Sequence, residues 1–549
     1  MRQQSPAEFY KLVDQFMERF LAEVPVAATQ LGDHRFDDRL GEHTPAARAR
    51  QEKAMRVALG ALQALDPRPW DIDARIDHTL MVRLIHSFLR DFVKTRDYER
   101  SPGMYMQEGL GGVFLLLIRD FAPFSERMKN VAKRLGHVPR VLEEGKKSLV
   151  PERVPRVWAE VALEGAKRSV LLYRLVIPAL SLRVPHRAPK VIPASLRAAS
   201  ALADYAEFLE KAVLPQAKGD FAAGRELFEE ILREDHMLDY TADELLALGW
   251  TLFDQTKAQM EELAKKIAPG KSAREIIEGA KNHHPKPGEV LAVYRREMER
   301  VRKFVQEKDI VTIPEGETLK IEPTPPSMRP MIPYAAYMMP GPLEKKQQGI
   351  FLVTPVDRFA PRKVKEEKLR GHNYAKIPVT ALHEAYPGHH LQLVYANRYA
   401  KTLPRKLGSA LSSLFVEGWA FYCEELMEKL GYIDQPVQKL ARLQDQLWRA
   451  ARIILDVSLH TKGMTVEEGV NFLVEKVGLE RTNALAEVRR YTMSPTQPMS
   501  YLMGKLEILK VIEAYKKRQP NASLREIHDA ILSCGSLPPK LLRERLLGS

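Results

Sequence analysis

Apolar positions recur every three to four residues over most of this sequence, the period of an amphipathic helix rather than of a strand. Phe9, Leu12, Val13, Phe16, Met17, Phe20 and Leu21 form one such stripe, and Ser5 and Glu8 before it are spaced as a capping box, with Pro6 at the first helical position. Thr44-Pro45 opens a second helix that reaches about Leu65. Thr241 and Glu244 cap a long helix running through Leu245, Leu246, Leu248, Trp250, Leu252 and Phe253 toward Ile267, and Ser272 with Glu275 caps another. The rhythm fails between about Asp309 and Pro361. There Pro314, Pro323, Pro325, Pro326, Pro330, Pro333, Pro340 and Pro342 exclude helix, and Ile310–Ile313 and Gly349–Thr354 read as short strands. Val184–Pro193 and Asn282–Pro287 read as surface loops. The predicted fold is mainly α, an N-terminal helical region (1–308) and a C-terminal catalytic region (309–549) forming one continuous bowl with a deep cleft and a small β element beside it. Gly349–Thr354 is either an edge strand pairing with a substrate backbone or a hairpin that merely packs.

Composition narrows the class. With 549 residues and 45% hydrophobic content the chain can bury a large core. Its longest apolar runs, such as Gly111–Ile118, fall short of the roughly 18 residues a membrane span needs, and Ser169–Leu182 is interrupted by Arg174. The N-terminal stripe is unlike the unbroken apolar segment of a signal peptide, so the expected location is cytoplasmic, without membrane partners. Two cysteines, Cys423 and Cys534, offer neither a disulfide framework nor a structural zinc site. A net charge of +13 invites nucleic acid, but the 84 Lys and Arg are interleaved with 71 acids, so solvated helix faces are the reading and no nucleic-acid partner is expected.

The candidate chemistry lies in His383-Glu384-Ala385-Tyr386-Pro387-Gly388-His389-His390. In the zinc-hydrolase pattern H-E-x-x-H, two imidazoles one helical turn apart hold the metal while the Glu handles water. Here the spacing is longer. On an ideal helix His383 and His389 would stand roughly 120° apart, and His383 and His390 about 10 Å apart along the axis. Pro387 breaks the helix between them and Gly388 tolerates unusual backbone, so a kink can return a second imidazole to the metal, either His389 or His390. A third ligand is offered by Glu417, a carboxylate in the apolar run Leu414–Leu426; its alternative is an ion-paired core residue. Glu424, seven residues on, shares its face and can orient a ligand His. Arg452, Asp456 and His460 fall on one helical stripe, a polar ladder that holds a ligand His, binds a substrate carboxylate through Arg452, or simply pairs ions. Tyr501, and less directly Tyr491, could donate to a developing oxyanion or be packed tyrosines.

The strings TALHEAYPGHHLQ (Thr380–Gln392), VEGWAFYCEEL (Val416–Leu426) and SPTQPMSYLMGKLEI (Ser494–Ile508) resemble those of the bacterial domain-of-unknown-function family eight hundred eighty-five, itself similar to gluzincin zinc peptidases. The resemblance implies His383, Glu384, His389 and Glu417 as the core site. Dipeptidyl peptidase III, with one extra residue between its two motif His and a Gly before the second, is a looser parallel and points to His389. Thr496-Gln497-Pro498-Met499 departs from the Gly-Gln-Ala-like stretch expected there. The function expected is hydrolysis of short peptides with one zinc ion and Glu384 as general base. The alternatives are metal-dependent hydrolysis of another amide or ester, and a non-enzymatic protein that binds peptide or metal.

Overall fold

The computed structural model describes residues 5–325, 329, 332, 334–357 and 359–548. Pro326, Pro330 and Pro333 of the proline-rich stretch lie outside the described residues. Helices dominate, with one small sheet, as the apolar periodicity requires. The described chain forms two compact units, Met1–Phe221 with Gly341–Lys346, and Ala222–Pro340 with Gln347–Ser549. The division falls well before the 308/309 boundary expected from the end of the helical pattern.

In the first unit α1 (Pro6–Glu23) buries Phe9, Val13, Phe16, Met17 and Leu21, the predicted stripe. Ser5 stands at its N-cap without a side-chain capping bond, so the expected capping box is not formed. The core lies among α2 (Pro102–Ile118), α3 (Phe124–Ser148) and α4 (Ala188–Phe208), packed through Tyr105, Leu116, Val131, Leu135, Val141, Leu202 and Tyr205. Helix α4 occupies most of the segment read as a loop at Val184–Pro193; its alternating small apolar residues, Ala194, Ala198 and Ala199, bury against α3 and outweigh Pro189 and Pro193.

The second unit explains the early division. Helix α5 (Ala242–Ile267), with the capping box of Thr241 and Glu244, lies along α10 (Pro436–Thr461), and Gly249 makes room there for Ile453 and Ile454. Helix α6 (Val290–Glu307) precedes the sheet. Strands β1 (Thr318–Pro323), β2 (Ala335–Met338) and β3 (Gln348–Val353) are ordered β1-β3-β2, β1 parallel and β2 antiparallel to β3. The predicted strand Gly349–Thr354 is therefore central, both its edges already paired, and cannot receive a substrate backbone. Ile310–Ile313 is not a strand. Its backbone is bonded instead to a late helix: His528 Nδ1 lies 2.8 Å from the Ile310 carbonyl and the Thr312 N–H donates to Asp529 at 2.9 Å.

The helices that carry the candidate site follow: α7 (Ile377–Glu384), α8 (His389–Tyr399), α9 (Leu414–Lys429), α10, α11 (Arg481–Tyr491), α12 (Ser500–Arg518) and α13 (Leu524–Leu532). Helices α9 and α12 cross in backbone contact. A Cβ at Gly418 would lie 2.3 Å from the Gly504 carbonyl carbon, and one at Gly504 would lie 2.0 Å from the Leu414 oxygen. No helix among the described residues is long and apolar enough to cross a membrane.

Candidate metal centre

The motif folds as two helices, α7 ending at Glu384 and α8 beginning at His389, with a break of four residues that includes a cis Tyr386-Pro387 bond. The chain turns back sharply at Gly388, whose N–H donates to the Leu382 carbonyl at 3.1 Å. A Cβ there would sit 1.9 Å from the His383 oxygen, so the position is closed to any side chain although its φ is ordinary. Trp419 fixes the turn from α9, its Nε1–H donating to the Pro387 carbonyl at 2.9 Å.

The turn brings His389 against His383, ring centroids 4.8 Å apart and planes perpendicular. Glu417 on α9 completes a group: one ligand atom from each of His383, His389 and Glu417 lies within 4.8 Å of the others. His389 Nε2 is 3.5 Å from the Glu417 carboxylate. His383 Nδ1 is 2.7 Å from Glu424, which leaves Nε2 as its free nitrogen. Two imidazoles and a carboxylate, one imidazole steered by a second carboxylate, are the donor set of a catalytic zinc, so the residues fit that ion. His389 Nδ1 is buried and has no hydrogen-bond partner among the described residues.

His390 turns the other way. Its Nε2 is 2.8 Å from Glu317 and its Nδ1 is 3.0 Å from the Tyr337 hydroxyl, so both ring nitrogens are taken and the open choice between His389 and His390 falls to His389. The sheet supplies this anchor. Tyr337 belongs to β2, and Gly349 of β3 leaves the space in which a Cβ would lie 2.5 Å from His390 Nδ1. Glu317 is buried; it also accepts from Tyr386 at 2.9 Å and from Arg302 at 3.1 Å. Burial alone would raise its pKa, but His390, Tyr386 and Arg302 hold it below the ordinary carboxylate value.

Electrostatics around the triad are strong. Burial opposes charge on Glu417, yet His389, His383 and the Tyr501 hydroxyl hold it ionised, down to about 2. Burial likewise opposes the His389 cation, and Glu417, Glu384 and Glu424 more than offset it, so its pKa is raised. Such a carboxylate and imidazole form an ion pair that a metal can replace.

A cavity of about 340 Å³ opens onto the group, lined by His383, Glu384, His389, Glu417 and Glu424 and also by Lys376, Asp445, Trp448, Arg449, Arg452 and Tyr501. Glu384 is half-buried on this wall, next in sequence to a candidate ligand, and no described residue holds its carboxylate by a hydrogen bond or ion pair. Tyr501 lines the cavity, with the Arg452 guanidinium over its ring. Tyr491 does not line the cavity; its hydroxyl accepts from Arg452 Nε at 2.9 Å.

The polar ladder on α10 divides. Arg452 reaches the cavity. Asp456 does not; it accepts the backbone N–H groups of Thr496 and Met499 at 3.0 and 3.1 Å, and burial lifts its pKa to about 8. It thus holds the loop carrying Gln497, whose amide reaches Glu417 at 3.4 Å, and which leads into Tyr501. Thr496 in that loop has φ +69°, the backbone departure foreshadowed by its unusual sequence. His460 is bonded to the Tyr491 carbonyl and to the Ala223 N–H, and it does not line the cavity. Sequence reasoning missed Glu317, Lys376, Asp445, Arg449 and Glu487. Asp445 and Arg449 stand seven and three residues before Arg452 on one helix, a signal in the same stripe; Glu317 has none, since it lies in an irregular stretch. Cys423 and Cys534 are buried, and neither is in a disulfide.

The fold is shared with solved structures. A candidate lipoprotein of unknown function from Shewanella oneidensis superposes with a TM-score of 0.80 at 24% identity, covering 99% of this chain and 100% of that one. A second candidate lipoprotein, from Colwellia psychrerythraea, gives 0.81 at 18% identity, with 99% of each chain covered. No curated protein matches the sequence. The family described as bacterial protein of unknown function (DUF885) matches residues 25–546, nearly the whole chain, and the protein belongs to that family.

Proposed function

We propose that this protein is a metal-dependent hydrolase, and specifically a zinc peptidase acting on short peptides. The observation that carries the reading is the convergence of His383, His389 and Glu417 on one point, with the unpaired Glu384 carboxylate on the same cavity wall. A zinc ion in that site would polarise the scissile carbonyl and acidify a water. The residues' own tasks follow from their surroundings. Glu424 orients His383, and Gln497 orients Glu417. Glu384, with no competing partner, accepts the water's proton and returns it to the leaving nitrogen, so that water adds across the amide and the C–N bond breaks.

The test is metal analysis of the full chain followed by digestion of a mixed peptide pool read by mass spectrometry. One equivalent of metal is expected, with cleavage lost on chelation and in Glu384→Gln, which keeps the metal. Absence of stoichiometric metal, or undiminished cleavage by Glu384→Gln, overturns the reading. Cleavage confined to esters or non-peptide amides would keep the hydrolase and remove the peptidase. The expected cytoplasmic location and zinc as the native metal belong with this proposal.

A further inference from the structure

Arg452 is built differently from an ordinary structural arginine. It is buried, and its guanidinium lies between the rings of Trp448 and Tyr501, 4.5 Å from each centroid. Nε donates to Tyr491 at 2.9 Å and Nη2 to Glu487 at 3.0 Å, but Nη1 is buried with no acceptor. On the same cavity wall Arg449 pairs with Asp445 at 3.2 Å and leaves its Nε without an acceptor. Unmade hydrogen bonds on buried cations are costly and call for a partner.

The charges that line the cavity point to what that partner is. Lys376, Arg449 and Arg452 contribute three positive charges, and Glu384, Glu417, Glu424 and Asp445 four negative ones. A divalent cation in the triad turns this to a net of one positive charge, which a single carboxylate neutralises. Planar guanidinium groups are matched to carboxylates in both charge and geometry. Distance then sets which carboxylate. Tyr501 lies near enough to Glu417 to help keep that carboxylate ionised, and its ring lies under Arg452, so about one aromatic side chain separates the arginine from the candidate ligand carboxylate. One to three residues of extended chain, at about 3.3–3.6 Å each, cover that span.

We infer that Arg452, assisted by Arg449, binds the free C-terminal carboxylate of the peptide, making the enzyme an exopeptidase that releases one to three residues from the C-terminus. This inference rests on the proposed peptidase. Water supplies a hydroxyl to the new carboxyl group and a proton to the released amine, and no other reactant is required.

The experiment uses the full chain loaded with zinc and matched N-acetylated octapeptides ending in a free acid or an amide. Free acids are expected to be cut within their last three residues, and amides at least about 100-fold more slowly. Arg452→Gln should raise KM for the acids and bring the acid-to-amide ratio near one, with Arg449→Gln acting more weakly in the same direction. Equal cutting of acids and amides, or cutting at internal bonds, overturns the subsite while leaving a peptidase. A second measurement needs no turnover. Calorimetric binding to Glu384→Gln should favour the acid at least about tenfold over the amide, and Arg452→Gln in that background should erase the preference. Equal binding of both peptides overturns the inference even where no peptide is cleaved, and misfolding of the Arg452 variant is recognised by loss of zinc, leaving Arg449→Gln to decide.

Discussion

Gly388→Ala isolates the turn on which the candidate site depends. The added methyl would lie 1.9 Å from the His383 carbonyl oxygen and 2.4 Å from that of Leu382, both of them backbone atoms that cannot swing aside. Relief to the 3.0 Å that real contacts respect demands a movement of about 1 Å. Metal geometry tolerates about 0.2 Å, and His389 follows Gly388 directly, so the displacement falls on a ligand. Stability should suffer modestly: overpacking costs about 1–3 kcal/mol, against a gain of about 0.4–1 kcal/mol from the stiffer unfolded chain. Metal affinity should suffer more, by about 100-fold or beyond, equivalent to roughly 2.8 kcal/mol. Chelator competition measures the affinity, and thermal unfolding with and without zinc measures the stability. Gly136→Ala is the control; it is exposed in mid-helix with nothing within 4 Å, and should gain about 0.5–1 kcal/mol. A Gly388→Ala protein that holds zinc within threefold of the parent would refute the claim that this turn sets the His383 and His389 geometry.

Three other expectations follow. Glu424→Gln should weaken zinc by about 10- to 100-fold while leaving the melting temperature of the metal-free protein little changed, because the carboxylate steers His383 without touching the ion; unaltered affinity in a chelator titration would count against that role. Gly504→Ala should separate α9 from α12 and cost at least about 1–3 kcal/mol, moving Glu417 on α9, read by urea unfolding and by zinc affinity together. Burial pushes the His528 and His372 imidazoles down to about 4, in His528 against the Ile310 carbonyl, which favours the charged ring; the Tyr422 hydroxyl meets its other nitrogen. Their contribution is complete above the unfolded value of 6.5 and is lost as pH falls from there toward 4, up to about 3 kcal/mol for each; urea midpoints at pH 7.5 and 5 should show the loss, and His528→Gln should remove about half of it.

What the sequence could reveal depended on whether a signal was local. Helical stripes such as Phe9 to Leu21 and the caps at Thr241 and Ser272 repeat within a few residues and were legible, and so was a kink at Pro387-Gly388. Which imidazole the kink returns was not. That choice is made by Glu317 and Tyr337, which occupy both nitrogens of His390 from positions about 70 and 50 residues away in an irregular region. Strand β3 was visible as an apolar run, but its central place required β1 and β2, whose residues carry weak patterns of their own. Asp456 and Arg452 share a stripe yet part company in the fold, since the loop at 496–499 captures one and the cavity the other. The unit boundary was hidden for a similar reason: the packing of α5 along α10 joins segments about 190 residues apart.

Helix α9 ties these elements together. Glu417 and Glu424, seven residues apart, lie within about 20° of the same face, so the first enters the ligand group while the second grips the far nitrogen of His383, and that imidazole lies along the helix between them. Trp419 holds the Pro387 carbonyl and so the turn that delivers His389. Gly418 admits α12 to backbone contact, which brings Tyr501 to the cavity with its ring beneath Arg452. Each of the three candidate ligands is therefore positioned by a different residue of one short run, Glu417-Gly418-Trp419 with Glu424. A conservative change at any of these should move more than its own contact: loss of the Trp419 indole N–H disturbs His389, loss of the Glu424 carboxylate disturbs His383, and any side chain at Gly418 disturbs Glu417 and the Arg452 wall together. Because the supports of the candidate ligands share one backbone segment, a change in that segment reaches all three together.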